Sequence, residues 1–76
     1  MFGMNLTDLN SNETAVIKTI GGGPGVVSRL MSMGIRPGVN ITKISAHFWR
    51  GPVTVRVGRT KLAIGYGMAK KIGVGK

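Results

Sequence analysis

The chain has 76 residues, enough for one small domain close to the lower size limit for a self-sufficient hydrophobic core, so a large internal substrate cavity is not expected. Cysteine is absent, which excludes disulfides and thiolate metal sites. With 11 lysines and arginines against 2 acidic residues, the formal net charge is +9, which favours an anionic partner: nucleic acid, an anionic membrane face or an acidic protein surface.

The chain is expected to form a single domain, residues 1–76, of a soluble cytosolic protein. Glycines occur singly or in short clusters between apolar segments, with no linker, repeat or low-complexity tract. No apolar run approaches the roughly 18 residues of a membrane span. The first charged residue is Asp8, so the basic start of a signal peptide is missing. The basic residues form no block, so a merely soluble basic surface is the alternative to an anion-binding one.

The N-terminal segment predicts a turn followed by a strand. Leu6 and Leu9 are three residues apart, which indicates one anchored turn with Thr7 or Asp8 as its cap. Residues 13–20 have the alternation of a β-strand, with both faces partly apolar.

A short helix is predicted after this strand. The glycine-rich residues 21–25 break the strand, and residues 26–33 have helical apolar spacing. Gly34 suits the left-handed position that closes a helix, with Ile35 reaching back over Leu30. The apolar arc is wider than a small barrel needs to cover; it consists of Val26, Val27, Leu30, Met31 and Met33.

The segment after the helix predicts a tight turn and a second strand. Pro37 pre-sets φ and Gly38 supplies the positive φ that the third position of a type II turn requires. Residues 39–45 then form the strand, and its alternation fails at Ile44, where a bulge or an edge is expected.

A β-hairpin is predicted around Gly58 and Arg59, with glycine first in a two-residue type II′ turn. In that register Val55 meets Leu62 and Val53 meets Ile64. The same register sets Arg56 across from Lys61, with Arg59 at the tip, so that like charges oppose each other and favour a nearby anion. Alternatively, the long side chains simply extend into water.

The predicted fold is mainly β: a small SH3-like barrel of about five strands with a short α-helix inserted after the first strand. A turn around residues 68–71 leads to the last strand, at Ile72 and Val74. Closing the sheet on itself removes exposed edges from so many short strands.

The sequence predicts no enzyme, no cofactor and no metal site. Residues 21–25 lack the Gly-Lys-Ser/Thr of a phosphate loop. Asp8, Glu13 and His47 are the only acids and the only imidazole, too few and too widely separated for paired acid–base catalysis or a hard-metal site. Met31 and Met33 resemble soft copper ligands, but methionines on a short helix usually fill gaps or line an interface.

One alternative function is nucleic-acid binding by a basic barrel. Aromatic and cationic residues are interleaved from His47 to Lys61, as in proteins that bind single strands. The candidate anion-binding residues are Trp49, Arg50, Arg56, Arg59 and Lys61. The alternative for Trp49 is that it caps one end of the barrel.

Residues 29–38 read Arg-Leu-Met-Ser-Met-Gly-Ile-Arg-Pro-Gly and resemble the R-L-x-x-M-G-I-x-P-G signature of the FeoA family of small ferrous iron transport proteins. Similarity extends over residues 4–9, 13–17, 51–52 and most of 63–74. The resemblance implies an SH3-like barrel, a cytoplasmic location and no chemistry of its own. A similar barrel occurs in some iron-dependent repressors, so the fold alone does not assign the function.

The resemblance also implies a partner, the large membrane ferrous iron transporter that carries a GTPase domain (FeoB-like). The protein would dock on its cytosolic part and modulate uptake. A third possibility, compatible with docking and separate from the resemblance, is weak attraction to anionic lipid, which would bring the protein to the inner face of the membrane. The surplus apolar area on the helix predicts the docking surface. Its candidate residues are Val27, Arg29, Leu30, Met31 and Arg36, with core packing as the alternative for Leu30.

Overall fold

Six strands, two short α-helices and one 3-10 turn make up the part of the chain that the computed structural model describes, residues 4–46 and 51–75. All strand pairs are antiparallel, and they form one sheet in the order β1-β6-β2-β3-β4-β5. The expected closure of the sheet on itself is not found in the described residues, because β1 and β5 end the order and do not pair with each other. In chain order the elements are β1 (Met4–Asn5), the 3-10 turn (Leu6–Asp8), β2 (Thr14–Ile20), α1 (Gly23–Ser32), β3 (Asn40–Ala46), β4 (Val53–Val57), β5 (Thr60–Ile64), α2 (Tyr66–Ala69) and β6 (Ile72–Gly75).

The mainly β fold and the helix after the first long strand are confirmed. The five predicted strands correspond to β2–β6, and the structure adds β1, in which Met4 pairs with Val74. Two residues are too few to produce a readable alternation, so the sequence pattern could not indicate this strand. None of the described helices is both long and apolar enough to cross a membrane.

The sheet curls around one hydrophobic core. Alternate residues of the long strands are buried, and α1 and the 3-10 turn contribute Leu30 and Leu6 to the same core. The buried apolar residues are Leu6, Leu9, Ala15, Ile17, Leu30, Ile35, Ile41, Val53, Val55, Val57, Ile64, Ala69, Ile72 and Val74. Inward-facing β-branched side chains on short strands therefore supply most of the burial that stabilises the fold.

The end of α1 follows the predicted glycine cap. Gly34 has φ +88°, its N–H donates to the Met31 carbonyl at 3.0 Å, and the N–H of Ile35 donates to the Leu30 carbonyl at 3.0 Å. These two bonds form a Schellman motif, and both Leu30 and Ile35 are fully buried. The helix begins at Gly23, earlier than predicted: Gly23 has φ +87° and leads into the first turn, which contains Pro24, and neither residue contributes to apolar periodicity.

The predicted cap of the N-terminal turn is wrong: the cap is Asn5, not Thr7 or Asp8. Asn5 Oδ1 accepts the Thr7 backbone N–H at 2.9 Å, while Asp8 Oδ2 accepts the Asn5 backbone N–H at 2.9 Å. Both side chains are thus used in one reciprocal cap that sets the turn before β2.

The two predicted irregularities around β3 are confirmed. Gly38 has φ +93°, and the Val39 N–H donates to the Arg36 carbonyl at 3.2 Å, as a type II turn requires. The register between β3 and β4 shifts between Lys43 and Ser45, which places the bulge at Ile44.

Candidate functional site

The predicted docking surface lies on the outer side of α1, and four of its five residues reach solvent. Met31 is 36% exposed, Arg29 is exposed and Val27 is half-buried. Arg36 is exposed just beyond the helix, where its Nε donates to the Met31 carbonyl at 3.4 Å. We call these four residues the α1 face. Val27 and Met31, one turn apart, lie with Arg36 on one flank of the exposed side, and Arg29 lies on the other flank.

Leu30, the fifth predicted docking residue, does not belong to this surface. Its exposure is 0% and it packs in the core. Adjacent helix positions point about 100° apart, so an apolar arc wide enough to include both Leu30 and Met31 spans the inner and the outer side of α1. Leu30 therefore has no exposed surface for a partner in this structure, and its position matches the alternative given for it, core packing.

An open cleft of about 320 Å³ lies beside the α1 face. Gly25, Val26 and Arg29 of α1 line one wall, and Met68 of α2 lines the other. The cleft thus has apolar side chains and one guanidinium at its rim. The sequence pattern did not indicate Met68, because α2 has four residues and follows α1 by more than 30 positions, so only the fold brings the two together.

The predicted hairpin forms as the sequence indicates. Val57 pairs with Thr60 around the two-residue turn, and Gly58 has φ +61°. Arg56 lies directly across from Lys61, and both side chains are exposed. We call Arg56, Arg59 and Lys61 the basic hairpin.

A row of polar side chains crosses four strands on the outer face of the sheet and ends at the basic hairpin. Thr14 of β2 pairs with Thr42 of β3, Thr42 with Arg56 of β4, and Arg56 with Lys61 of β5. The two threonine hydroxyls lie 2.8 Å apart. We call these four residues the outer row; no sequence pattern indicated it, because it depends on the register of three strand pairs at once.

The other two predicted anion-binding residues, Trp49 and Arg50, lie outside the described residues, as does His47. Nucleic-acid binding at this surface stays a prediction. Tyr66 of α2 is the only Phe, Trp or Tyr in the described part of the chain. The Nζ of Lys70 lies 5.8 Å from the centroid of its ring.

Both acidic side chains cap backbone groups near the N-terminal turn. Asp8 accepts the Asn5 N–H, and Glu13 Oε1 accepts the Asn10 N–H at 2.7 Å. In residues 4–46 and 51–75 no three side chains of His, Cys, Asp or Glu come together as a metal site requires.

Sequence reasoning missed one buried cation, Lys43. It is 8% exposed, and its Nζ donates to the carbonyls of Leu9 at 2.7 Å and Thr7 at 3.2 Å. The alternation of β3, with Ile41 pointing inward, would have placed Lys43 inside, although lysine is rarely buried. Its role is to tie β3 to the N-terminal turn.

Known proteins resemble this chain along nearly its whole length. The sequence model of the FeoA domain family matches residues 4–76. A Methanocaldococcus jannaschii protein that carries the name Fe(2+) transport protein A is 39% identical over 60 residues, which cover 79% of this chain and 71% of that protein.

Solved structures agree with the family match. The crystal structure of an iron uptake regulatory protein, FeoA, superimposes with a TM-score of 0.85 at 28% identity, covering 99% of this chain and 97% of that one. Stenotrophomonas maltophilia FeoA, solved with zinc and described as a prokaryotic SH3 domain protein, gives 0.77 at 24% identity and covers 95% and 89%. The predicted SH3-like fold is thereby confirmed, and the chain belongs to the FeoA family of ferrous iron transport accessory proteins.

Proposed function

We propose that this protein is a non-enzymatic, cytosolic accessory of ferrous iron uptake that docks on the cytosolic part of a membrane transporter with a GTPase domain and modulates it. Membership of the FeoA family is the observation that carries the proposal. The carboxylates of Asp8 and Glu13, which accept backbone N–H groups, are better explained as caps than as catalytic acids.

The α1 face is the surface we propose for docking. Methionine and arginine are enriched in the cores of protein interfaces. Met31 lies one helical turn from Val27, and the Nε of Arg36 donates to the Met31 carbonyl, so apolar surface and one guanidinium lie side by side on this flank of α1. Met31 has an unbranched, polarizable side chain that adapts to an irregular partner surface. The adjoining cleft would accept one apolar side chain of the partner between Val26 and Met68.

The proposal is tested by replacing the apolar centre of the α1 face with a charge. Met31→Glu should weaken co-purification with the transporter's cytosolic domain by about tenfold or more, because a carboxylate would be desolvated at the contact. Met4→Glu is the matched control, since Met4 is 37% exposed but lies on β1. Circular dichroism should be unchanged for both variants. Equal co-purification of Met31→Glu and the unmodified protein would contradict docking at this face.

Peripheral attachment to the membrane would assist such docking. The net charge of +9 attracts the protein to anionic headgroups, at about 1 kcal/mol for each cation that comes near the surface. We expect sedimentation with vesicles of phosphatidylserine and phosphatidylcholine, and none with phosphatidylcholine alone. Binding that does not fall between 0.05 and about 0.5 M salt would rule out an electrostatic attachment.

A further inference from the structure

β5 has a hydrogen-bonded neighbour on one side only. In the described part of the chain, the sheet order ends at β5, which pairs with β4 and with no other strand. Thr60, Lys61 and Ala63 are exposed and Leu62 is half-buried, so most side chains along this edge reach solvent. Among the described residues, Lys61 and Ala63 make no backbone hydrogen bond outside the sheet. An open strand edge is a template for pairing with another chain.

The register of the hairpin shows which backbone groups face this edge. Val57 and Thr60 flank a two-residue turn and therefore form a hydrogen-bonded pair. Bonded and non-bonded pairs alternate along an antiparallel ladder, so Lys61 and Ala63 belong to non-bonded pairs. Their N–H and C=O groups point away from β4. These two donors and two acceptors are spaced as an additional antiparallel strand requires for hydrogen bonding.

The side chains at this edge select the charge of such a strand. Side chains of paired residues share one face of a sheet, so the residue opposite Lys61 on an added strand would extend the outer row beyond Lys61. A carboxylate there would lie next to Lys61 and within reach of Arg56. A basic side chain would face two cations that already oppose each other.

The same charges disfavour pairing between two copies of this chain. Two β5 edges that pair antiparallel bring two basic hairpins together, and like charges in direct opposition are destabilising. Lysine on an edge strand is a known means of preventing self-association. The charges at this edge thus favour pairing with an acidic strand and disfavour pairing with β5 of a second copy of this chain.

We propose that β5 accepts an extended acidic segment of a partner protein as an additional antiparallel strand, with a carboxylate opposite Lys61. A peptide backbone satisfies the four edge groups of Lys61 and Ala63, which a nucleic-acid strand would not match. This surface is separate from the α1 face, so the proposal stands or falls independently of docking there.

The test uses the full chain, labelled with ¹⁵N, and a capped eight-residue peptide in which glutamates alternate with valines. We expect amide shifts along β5 and hydrogen exchange at Lys61 and Ala63 slowed about tenfold or more at saturation. A peptide with lysines in place of the glutamates should leave these amides unchanged. The glutamate peptide N-methylated at alternate amides should lose the effect, because it cannot complete the ladder.

Two variants separate the backbone contribution from the charge contribution. Ala63→Pro removes one outward N–H and leaves the hydrogen bonds to β4 in place. It should lower the affinity for the glutamate peptide about tenfold. Lys61→Glu should reverse the preference towards the lysine peptide, whereas Lys70→Glu, an equal charge change on an exposed residue after α2, should not.

Three outcomes would overturn the proposal. One is exchange at Lys61 and Ala63 that the glutamate peptide does not slow; another is equal binding of the N-methylated peptide. The third is a ten-nucleotide oligothymidylate that shifts the β5 amides while the glutamate peptide does not, which would assign the edge to nucleic acid.

Discussion

On the inner face of the sheet Lys43 lies buried in β3, while on the outer face Arg56 of β4 and Lys61 of β5 extend into solvent. The inner ammonium donates to two carbonyls of the N-terminal turn. The outer cations oppose each other across one strand pair. Thus basic residues one and two strands apart tie the fold together on one face and remain available to a partner on the other.

This difference shows that net charge alone does not measure the capacity to bind anions. Lys43 contributes one of the 11 basic residues, but its side chain is buried and its ammonium donates to two backbone carbonyls of the same chain. A buried polar group without partners costs about 1–3 kcal/mol, so its carbonyl contacts are a condition for its burial. Exposed cations are solvated by water, so they need no protein partner and can bind an external anion.

The largest expected effect comes from the apolar part of the inner face. Ile41→Ala removes a fully buried side chain and should lower the free energy of unfolding by about 2–5 kcal/mol. Thr42→Ala, the next residue and a member of the outer row, should change it by less than about 1 kcal/mol through loss of the Thr14 contact. Urea denaturation measures both, and similar losses would contradict the division into an inner and an outer face.

The buried lysine should rank second. Lys43→Met keeps the length of the side chain but leaves the Thr7 and Leu9 carbonyls without this donor, so stability should fall by about 2–3 kcal/mol. Exchange of the amides in the 3-10 turn should speed up, because the turn loses its tie to β3. Lys61→Met is the control on the outer face and should stay within about 0.5 kcal/mol of the unmodified protein. Equal effects of the two variants would show that Lys43 has no special role.

The sequence predicted those parts of the fold that local chemistry determines. Gly34 and Gly38 have the positive φ that their turns require, and Gly58 places the hairpin turn that sets Arg56 opposite Lys61. Each of these features depends on a few neighbouring residues, so it can be read without knowing the tertiary structure.

Features that depend on distant contacts could not be predicted in the same way. The wide apolar arc of α1 did not reveal that Leu30 faces the core and Met31 faces solvent, since the position of the sheet decides this. The alternation of β3 indicates that Lys43 points inward, but it could not reveal the carbonyl partners on Thr7 and Leu9, which precede Lys43 by more than 30 residues. Met68 joins the cleft for the same reason.

The smallest expected change in stability comes from a substitution on the outer face, at Lys61. Lys61→Glu replaces an opposed like-charge pair with an attractive one and should raise stability by about 0.2–1 kcal/mol at low salt. Lys61→Gln, which only removes the repulsion, should lie in between. Lys71→Glu, on an exposed lysine that follows α2, corrects for the general relief of a net charge of +9, because it makes the same charge change away from the hairpin.

Salt dependence distinguishes a charge effect from a change in packing. At 1 M salt the Debye length is about 3 Å, so the gain from Lys61→Glu should largely disappear. The Lys43→Met loss should persist at the same salt concentration, because the ammonium and its two carbonyls are shielded from ions by burial. If both differences shrank equally with salt, Lys43 would be as accessible as Lys61 and the contrast between the two faces would not hold.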